Sequence, residues 1–427
     1  MKSIRILSIL LIYASGISAQ SLFPGRSKSH NNINSALVTP APHDAANRLY
    51  QFLYDNYERK IVSGVMTLNS FDEANWLKEQ TGKEPALLGL DFMHSGRGYQ
   101  WYNDRQPIID AEAHYARNGI PAICWHWRDP SRATEAFYTT NTQFDVSKVF
   151  DTTSAEYHSM LNDIDYISTL LKELRDQNVP VIWRPLHEAA GGWFWWGAKG
   201  AAPCRKLYQL MFERMVHHHG LNNLIWVWTQ EPNDDAWYPG DAYVDIVGRD
   251  IYREGNHSSH VAEWSDLHLK YGERKMVAIS ECGSFPDPDD LIKDKASWSW
   301  FMPWYGEFVR DSRHNSLSLW QKAMAHPYVI TLDEMPDLSK YDEMSHAVVT
   351  GVEDPVIRGG LRCTIGQELV CQCGEKASEV KVFDVFGRLM ISGPVIRGRI
   401  NLDLSVFAPG MYVIKADNHD ALKVVVK

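Results

Sequence analysis

Apolar runs of strand length alternate with helical patterns along most of this chain. Ile61–Thr67, Ala86–Asp91, Pro121–His126, Val179–Glu188, Leu224–Thr229, Val244–Tyr252 and Met276–Glu281 read as strands, and a short eighth follows near Phe301–Trp304. The clearest helix lies between the third and fourth, where Met160, Leu161, Ile164, Ile167, Leu170, Leu171 and Leu174 recur at helical spacing. An earlier helix sets Leu49, Phe52, Leu53 and Tyr57 on one face. Another runs from about Arg205 to His218, with Leu207, Leu210, Met211 and Met215 inward and Gly220 as its stop. Eight β/α alternations predict an α/β fold, a (β/α)8 TIM barrel, rather than an open doubly wound sheet. No Gly-rich phosphate fingerprint follows the first strand.

After about Gly351 the pattern changes. Glu379–Val385 alternates polar and apolar residues, Phe386-Gly387-Arg388 makes a turn, and Leu389–Ile391, Ile400–Leu404, Pro409–Ile414 and Leu422–Val426 complete a set of short strands. Gly and Pro turns between such strands predict a small C-terminal all-β sandwich. At the other end, Lys2 and Arg5 precede the apolar run Ile6–Ile12, and Ile17-Ser18-Ala19 forms a small-residue cleavage site, the pattern of a signal peptide. The predicted organisation is a signal peptide at 1–19, a polar linker at 20–42, a barrel at 43–350 and the sandwich at 351–427.

Composition narrows the function. The 427 residues carry a net charge of −10 with no basic stripe, which argues against a nucleic-acid partner. The 16 Trp suggest flat rings stacked on sugars. Export permits disulfides, yet the cysteines are scattered; Cys371 and Cys373 lack metal spacing, and pairing among Cys363, Cys371 and Cys373 stays open. His217-His218-His219 at a helix end reads as a solvated cluster rather than a metal site, and residues 231–235 read as a loop without calcium-loop spacing.

The chemistry sits at strand ends. Glu188 closes the fourth strand and Glu281 the seventh, and a barrel delivers both to its C-terminal face. On a continuing strand Arg184, Leu186 and Glu188 share one face, with Arg184 about 13 Å below Glu188. Two facing carboxylates suit glycoside hydrolysis. A gap of ~5–5.5 Å means retention and ~6.5–9.5 Å inversion, and at this stage both outcomes stand.

Arg184-Pro185-Leu186-His187-Glu188 followed by Gly191-Gly192-Trp193-Phe194-Trp195-Trp196-Gly197 resembles glycoside hydrolase family 26, whose best-known members are β-mannanases. The resemblance covers roughly residues 45–345. It implies a retaining enzyme, with Glu188 as acid/base and Glu281 as nucleophile. It further implies that Arg184 keeps the nucleophile ionised, that Tyr252 hydrogen-bonds it, and that His126 and His187 serve the substrate. Trp193 and Trp304 resemble rings lining the subsite at the scissile bond, and Asp91 reaches the same mouth. Without the resemblance, Tyr252 and His126 fit satisfied core positions equally well, and Trp195 and Trp196 read as packing for the loop. Ala189-Ala190 depart from members with a polar residue there, and Cys282 after the nucleophile is unusual.

The implied activity is a retaining endo-β-1,4-mannanase acting on mannan, glucomannan or galactomannan, needing no cofactor and no metal, and working as a monomer. Alternatives are a β-1,3-1,4-glucanase or β-1,3-xylanase of the same family, or a non-catalytic surface glycan-binding protein. Val382–Arg388, Leu402–Leu404, Pro409–Val413 and the terminal Lys423–Lys427 resemble a type IX secretion sorting domain, which implies secretion machinery as a partner and a secreted or cell-surface location. A carbohydrate-binding sandwich fits less well, because aromatic residues are sparse after residue 360.

Overall fold

A computed structural model describes residue 33, residues 36–272 and 274–341, and short segments between 362 and 426. The expected signal peptide at 1–19, most of the linker and the boundary at 350 lie outside the described residues. The chain divides into two units between Ala347 and Val348.

In the first unit eight parallel strands follow one another around a barrel: β1 Ile61–Met66, β2 Leu87–Asp91, β3 Ile120–Cys124, β4 Val181–Arg184, β5 Leu224–Thr229, β6 Ile246–Ile251, β7 Met276–Cys282 and β8 Trp300–Phe301. Their order is β7-β6-β5-β4-β3-β2-β1-β8, with β9 (Val329–Ile330) also beside β1. The ring closes between β7 and β8, where the Cys282 N–H donates to the Met302 carbonyl at 3.0 Å and the Trp304 N–H to the Cys282 carbonyl at 2.9 Å. Cys282 itself is buried, and it is its backbone that seals the barrel. The eighth strand is shorter than expected because Pro303 has no N–H to extend the ladder.

Strands covered on both faces read as unbroken apolar runs, and β1, β5 and β7 are buried at every position. Around them pack α1 (Asp44–Asn56), α2 (Asp72–Thr81), α3 (Gln106–Tyr115), α4 (Ala155–Asp176), α5 (Ala201–Phe212), α6 (Val261–Tyr271), α7 (Pro288–Asp294), α8 (Glu307–Arg310) and α9 (Leu317–Met324). Ser154 starts α4 by accepting the Tyr157 N–H, and Met160, Ile164, Ile167, Leu171 and Leu174 are its buried stripe. The helix expected from Arg205 begins earlier, at Ala201, and its last turn is a π-type segment over Glu213–His218.

The tryptophan surplus mostly serves this core. Nine of the sixteen, Trp127, Trp183, Trp195, Trp196, Trp226, Trp228, Trp298, Trp300 and Trp320, are fully buried, so only a minority are placed to meet a sugar.

The second unit has two antiparallel sheets. One joins β10 (Arg362–Ile365), β11 (Glu368–Gln372) and β14 (Arg399–Asp403); the other has the order β13-β12-β15-β16, from Leu389–Pro394, Glu379–Asp384, Gly410–Ala416 and Leu422–Val426. Val380, Val382, Tyr412 and Ile414 are buried, at alternating positions of two paired strands. Strands β10 and β11 were not among the expected set.

Candidate active site

Strand β4 does not run on to Glu188 as its apolar run suggested. It ends at Arg184, because Pro185 offers no N–H, and the chain then turns sharply. Leu186 (φ 51°) and Glu188 (φ 54°) both take the left-handed conformation, so the even alternation from Arg184 to Glu188 is lost. Such backbone costs about 1–3 kcal/mol per residue and persists only where its surroundings enforce it. Here the Trp196 indole N–H donates to the His187 carbonyl at 2.9 Å, and the Gly191 N–H to the Glu188 carbonyl at 3.2 Å. Trp195 and Trp196 are buried beneath the loop, as expected. Gly197 lets it close: a Cβ there would stand 1.9 Å from the Ala189 carbonyl oxygen. Trp193, 41 % exposed, donates its indole N–H to Glu188 Oε2 at 2.9 Å.

Glu281 enters from β7 beside an irregularity in the β6–β7 ladder. Arg249 pairs with Ile279 and Asp250 with Glu281, so Ser280 is the extra residue, a bulge of the kind that re-aims side chains next to active sites. Ser280 Oγ donates to Asp250 Oδ1 at 2.6 Å, in space left by Gly248, where a Cβ would meet that hydroxyl at 2.2 Å. The buried Arg184 guanidinium spans the two carboxylates: Nη1 donates to Asp250 Oδ2 at 2.8 Å and Nη2 to Glu281 Oε2. The Tyr252 hydroxyl donates to Glu281 Oε1. One oxygen each from Glu188, Asp250 and Glu281 lie within 4.8 Å of one another.

Electrostatics separate the carboxyls. Burial first, then the charges of Asp250 and Glu281, push Glu188 up to about 9, so it stays protonated at neutral pH. Glu281 is raised as well, by burial first and by the Asp250 charge, although Arg184, the second largest influence, and Tyr252 pull against that rise. Of Glu188 and Glu281, it is Glu281 that touches the guanidinium, a contact that favours its ionised form.

His126 at the end of β3 hydrogen-bonds through Nδ1 to Asp91 Oδ2 at 2.6 Å, and its Nε2 lies 3.1 Å from His187 Nε2. Burial keeps His187 well below the usual imidazole value. A neutral His187 donating from Nε2 leaves only an acceptor, Nδ1, unpaired in the interior, which is cheaper than a stranded donor. Asp91 braces His126 and also lines the cavity at the barrel mouth. Trp304 is half-buried with its ring 5.3 Å from that of His126.

Glu188, Glu281, Arg184, Tyr252, His126, His187, Trp193 and Trp304 thus gather at one end of the barrel. Two contributors escaped the sequence reading. Asp250 sits two positions before Tyr252, a same-face spacing that marks it, whereas Ser280 is visible only through the bulge. Neither donor cluster resembles a metal site. Arg184 already supplies the cation between Asp250 and Glu281, and the cluster of Asp91, Cys124 and His126 contains a thiol that burial pushes up, away from the thiolate a metal needs. Within the histidine triplet, His219 pairs with Asp165 at 2.7 Å and His217 faces Glu213 at 3.6 Å.

Paired carboxyls of unequal acidity at the C-terminal mouth of a parallel barrel define a glycoside hydrolase. Residues 38–334 match glycosyl hydrolase family 26, and the chain belongs to that family. A mannan endo-1,4-beta-mannosidase of Thermothelomyces thermophilus is 39% identical over 329 residues, 75% of this chain and 67% of that protein. Mannan endo-1,4-beta-mannosidase A of Piromyces sp. is 36% identical, over 72% of this chain and 52% of its own length. This chain therefore spans about two thirds of the first relative and about half of the second. Among solved structures, a beta-mannanase from a symbiotic protist of the termite Reticulitermes speratus, complexed with gluco-manno-oligosaccharide, is 43% identical with a TM-score of 0.69, covering 72% of this chain and 99% of that one.

Proposed function

We propose that this chain is a retaining endo-β-1,4-mannanase acting on mannan, glucomannan or galactomannan. The observation that carries the reading is that one oxygen each of Glu188 and Glu281 lie within 4.8 Å of one another, close enough for direct attack by one carboxylate and in keeping with the short gap of retaining enzymes. Glu281, ionised by Arg184 and oriented by Tyr252, attacks the anomeric carbon. Glu188 donates its proton to the departing glycosidic oxygen as that bond breaks. The covalent mannosyl-enzyme neutralises Glu281, which lowers the Glu188 pKa; Glu188 then takes a proton from water, whose oxygen displaces Glu281. His126, held by the buried His187, faces the sugar, with Trp193 and Trp304 as its apolar walls. No cofactor enters these steps.

The acid role fixes a pH dependence. Glu188 is active while protonated, so kcat/KM falls as pH rises through about 9, and an alkaline limb near the ordinary carboxylate value of about 4.3 would refute the assignment. The substrate is tested by reducing-sugar release from mannan, lichenan and β-1,3-xylan. Mannan is expected to be cut far faster; preference for either of the others moves the specificity within the family, and no hydrolysis of any leaves a glycan-binding protein. Export by residues 1–19, a catalytic region at 43–350, sorting through 351–427 by a type IX route and action as a monomer belong to the same proposal. Their support is the residue pattern of the two ends and the polymeric nature of the substrate.

A further inference from the structure

We infer that Glu231, just past the C-terminal end of β5, is a specificity residue for the leaving half of the glycan. Its carboxylate accepts hydrogen bonds from hydroxyls of the sugar whose glycosidic oxygen Glu188 protonates; this rests on the mannanase reading above. The alternation of β5 carries past its end. Thr229 points into the barrel, where its Oγ1 accepts from Arg184 Nη1 at 3.4 Å. Gln230 points outward. Its Oε1 accepts from the Arg249 guanidinium, which also holds Asp266 of α6 at 3.0 Å, and its Nε2 donates to Asp234 Oδ1 at 2.6 Å. Glu231, one residue further, is turned back toward the barrel mouth, and it is half-buried there.

The backbone here is fixed while the carboxyl is not. The Gln230 N–H donates to the Gly248 carbonyl at 2.8 Å and the Glu231 N–H to Asp234 Oδ2 at 2.9 Å. The other carboxyls of the mouth are engaged: Glu188 with Trp193, Asp250 with Arg184 and Ser280, Glu281 with Arg184 and Tyr252. Among the described residues, no hydrogen bond or ion pair reaches the Glu231 carboxyl. Burial, then the Asp250 charge, push it up to about 7, and its own charge adds to the rise of Glu188. An acceptor held in a partly dry cleft with no donor is left for a ligand to satisfy. Hydroxyls suit it. An adjacent pair donates to the two oxygens of one carboxylate, and hydrogen bonds to an ionised acceptor are the stronger kind.

The order of strands gives the direction. Around the barrel β4 stands between β3 and β5, so Glu188 has His126 at the end of β3 on one side and Glu231 past the end of β5 on the other. His126 and Trp304, with rings 5.3 Å apart, wall the sugar that Glu281 attacks. The sugar that departs lies across Glu188 from them, over β5, where Glu231 waits without a partner.

The test compares kcat/KM on mannotetraose, whose leaving group is a sugar, with that on an aryl β-mannobioside, whose leaving group has no sugar hydroxyls. Glu231→Ala is expected to lower the mannotetraose-to-aryl ratio on the order of tenfold relative to the wild type. Glu231→Gln keeps one acceptor oxygen and should lie between. An unchanged ratio, or equal loss on both substrates, overturns the role. The second displacement reads the same contact in reverse. With the aryl substrate as donor, added mannobiose competes with water for the covalent sugar, and Glu231→Ala should lower the ratio of transfer to hydrolysis product by a similar factor. A merely structural loss slows both outcomes alike, so an unchanged product ratio overturns the role too. If the wild type cuts neither substrate, the mannanase reading fails instead.

Discussion

Glu281→Ala is expected to reduce turnover on mannan by roughly 10⁴–10⁶-fold, the scale on which loss of a nucleophile is felt. The fold should survive, because Arg184 keeps Asp250 as a partner at 2.8 Å and no guanidinium is stranded. Azide distinguishes this variant from Glu188→Ala. In the first, azide enters the vacated face and displaces an activated aryl leaving group once, giving the α-mannosyl azide. In the second, Glu281 still forms the covalent sugar from the same aryl substrate, and azide then displaces it, giving the β-mannosyl azide. Acid assistance matters little for good leaving groups, so Glu188→Ala should lose far more activity on mannan than on aryl mannosides. The opposite anomers would exchange the two roles.

Arg184→Met has the second largest expected effect, on stability as well as rate. The guanidinium is buried between Asp250 and Glu281, and removing one member of a buried ion pair costs about 3–5 kcal/mol. Part of that is relieved when one stranded carboxyl takes up a proton. Glu281 then ionises only at higher pH, so the acid limb of kcat/KM moves upward while the urea midpoint falls. Arg184→Lys keeps the charge but loses the fork that serves two carboxylates at once, and should lie between. Loss of stability with an unmoved acid limb would reduce Arg184 to a structural role.

Much of this was legible in the chain because buried parallel strands are nearly pure apolar runs. Leu224–Thr229 was bounded correctly from sequence, and the helix through Met160 and Leu174 showed its period plainly. The two glutamates were legible because each follows such a run. What failed was local geometry. The run through Val181 hid a chain that leaves the strand at Pro185 and turns left-handed at Leu186 and Glu188. The Ser280 bulge, which sets Asp250 against Arg184, leaves no trace in a pattern of apolar residues. Tryptophan misled by number, since most rings fill the barrel wall. In the second unit, Arg362–Ile365 and Glu368–Gln372 were missed although they are as long as strands the pattern did reveal.

The most direct test is to trap the intermediate. A 2-deoxy-2-fluoro-β-mannosyl fluoride slows both displacements by destabilising the cation-like transition state, while its good leaving group lets the first proceed, so a covalent sugar accumulates. Intact mass should rise by one fluorosugar, and peptide mapping should place it on Glu281. A label on any other residue, or an active enzyme that never labels and releases α-configured products, would contradict the double displacement.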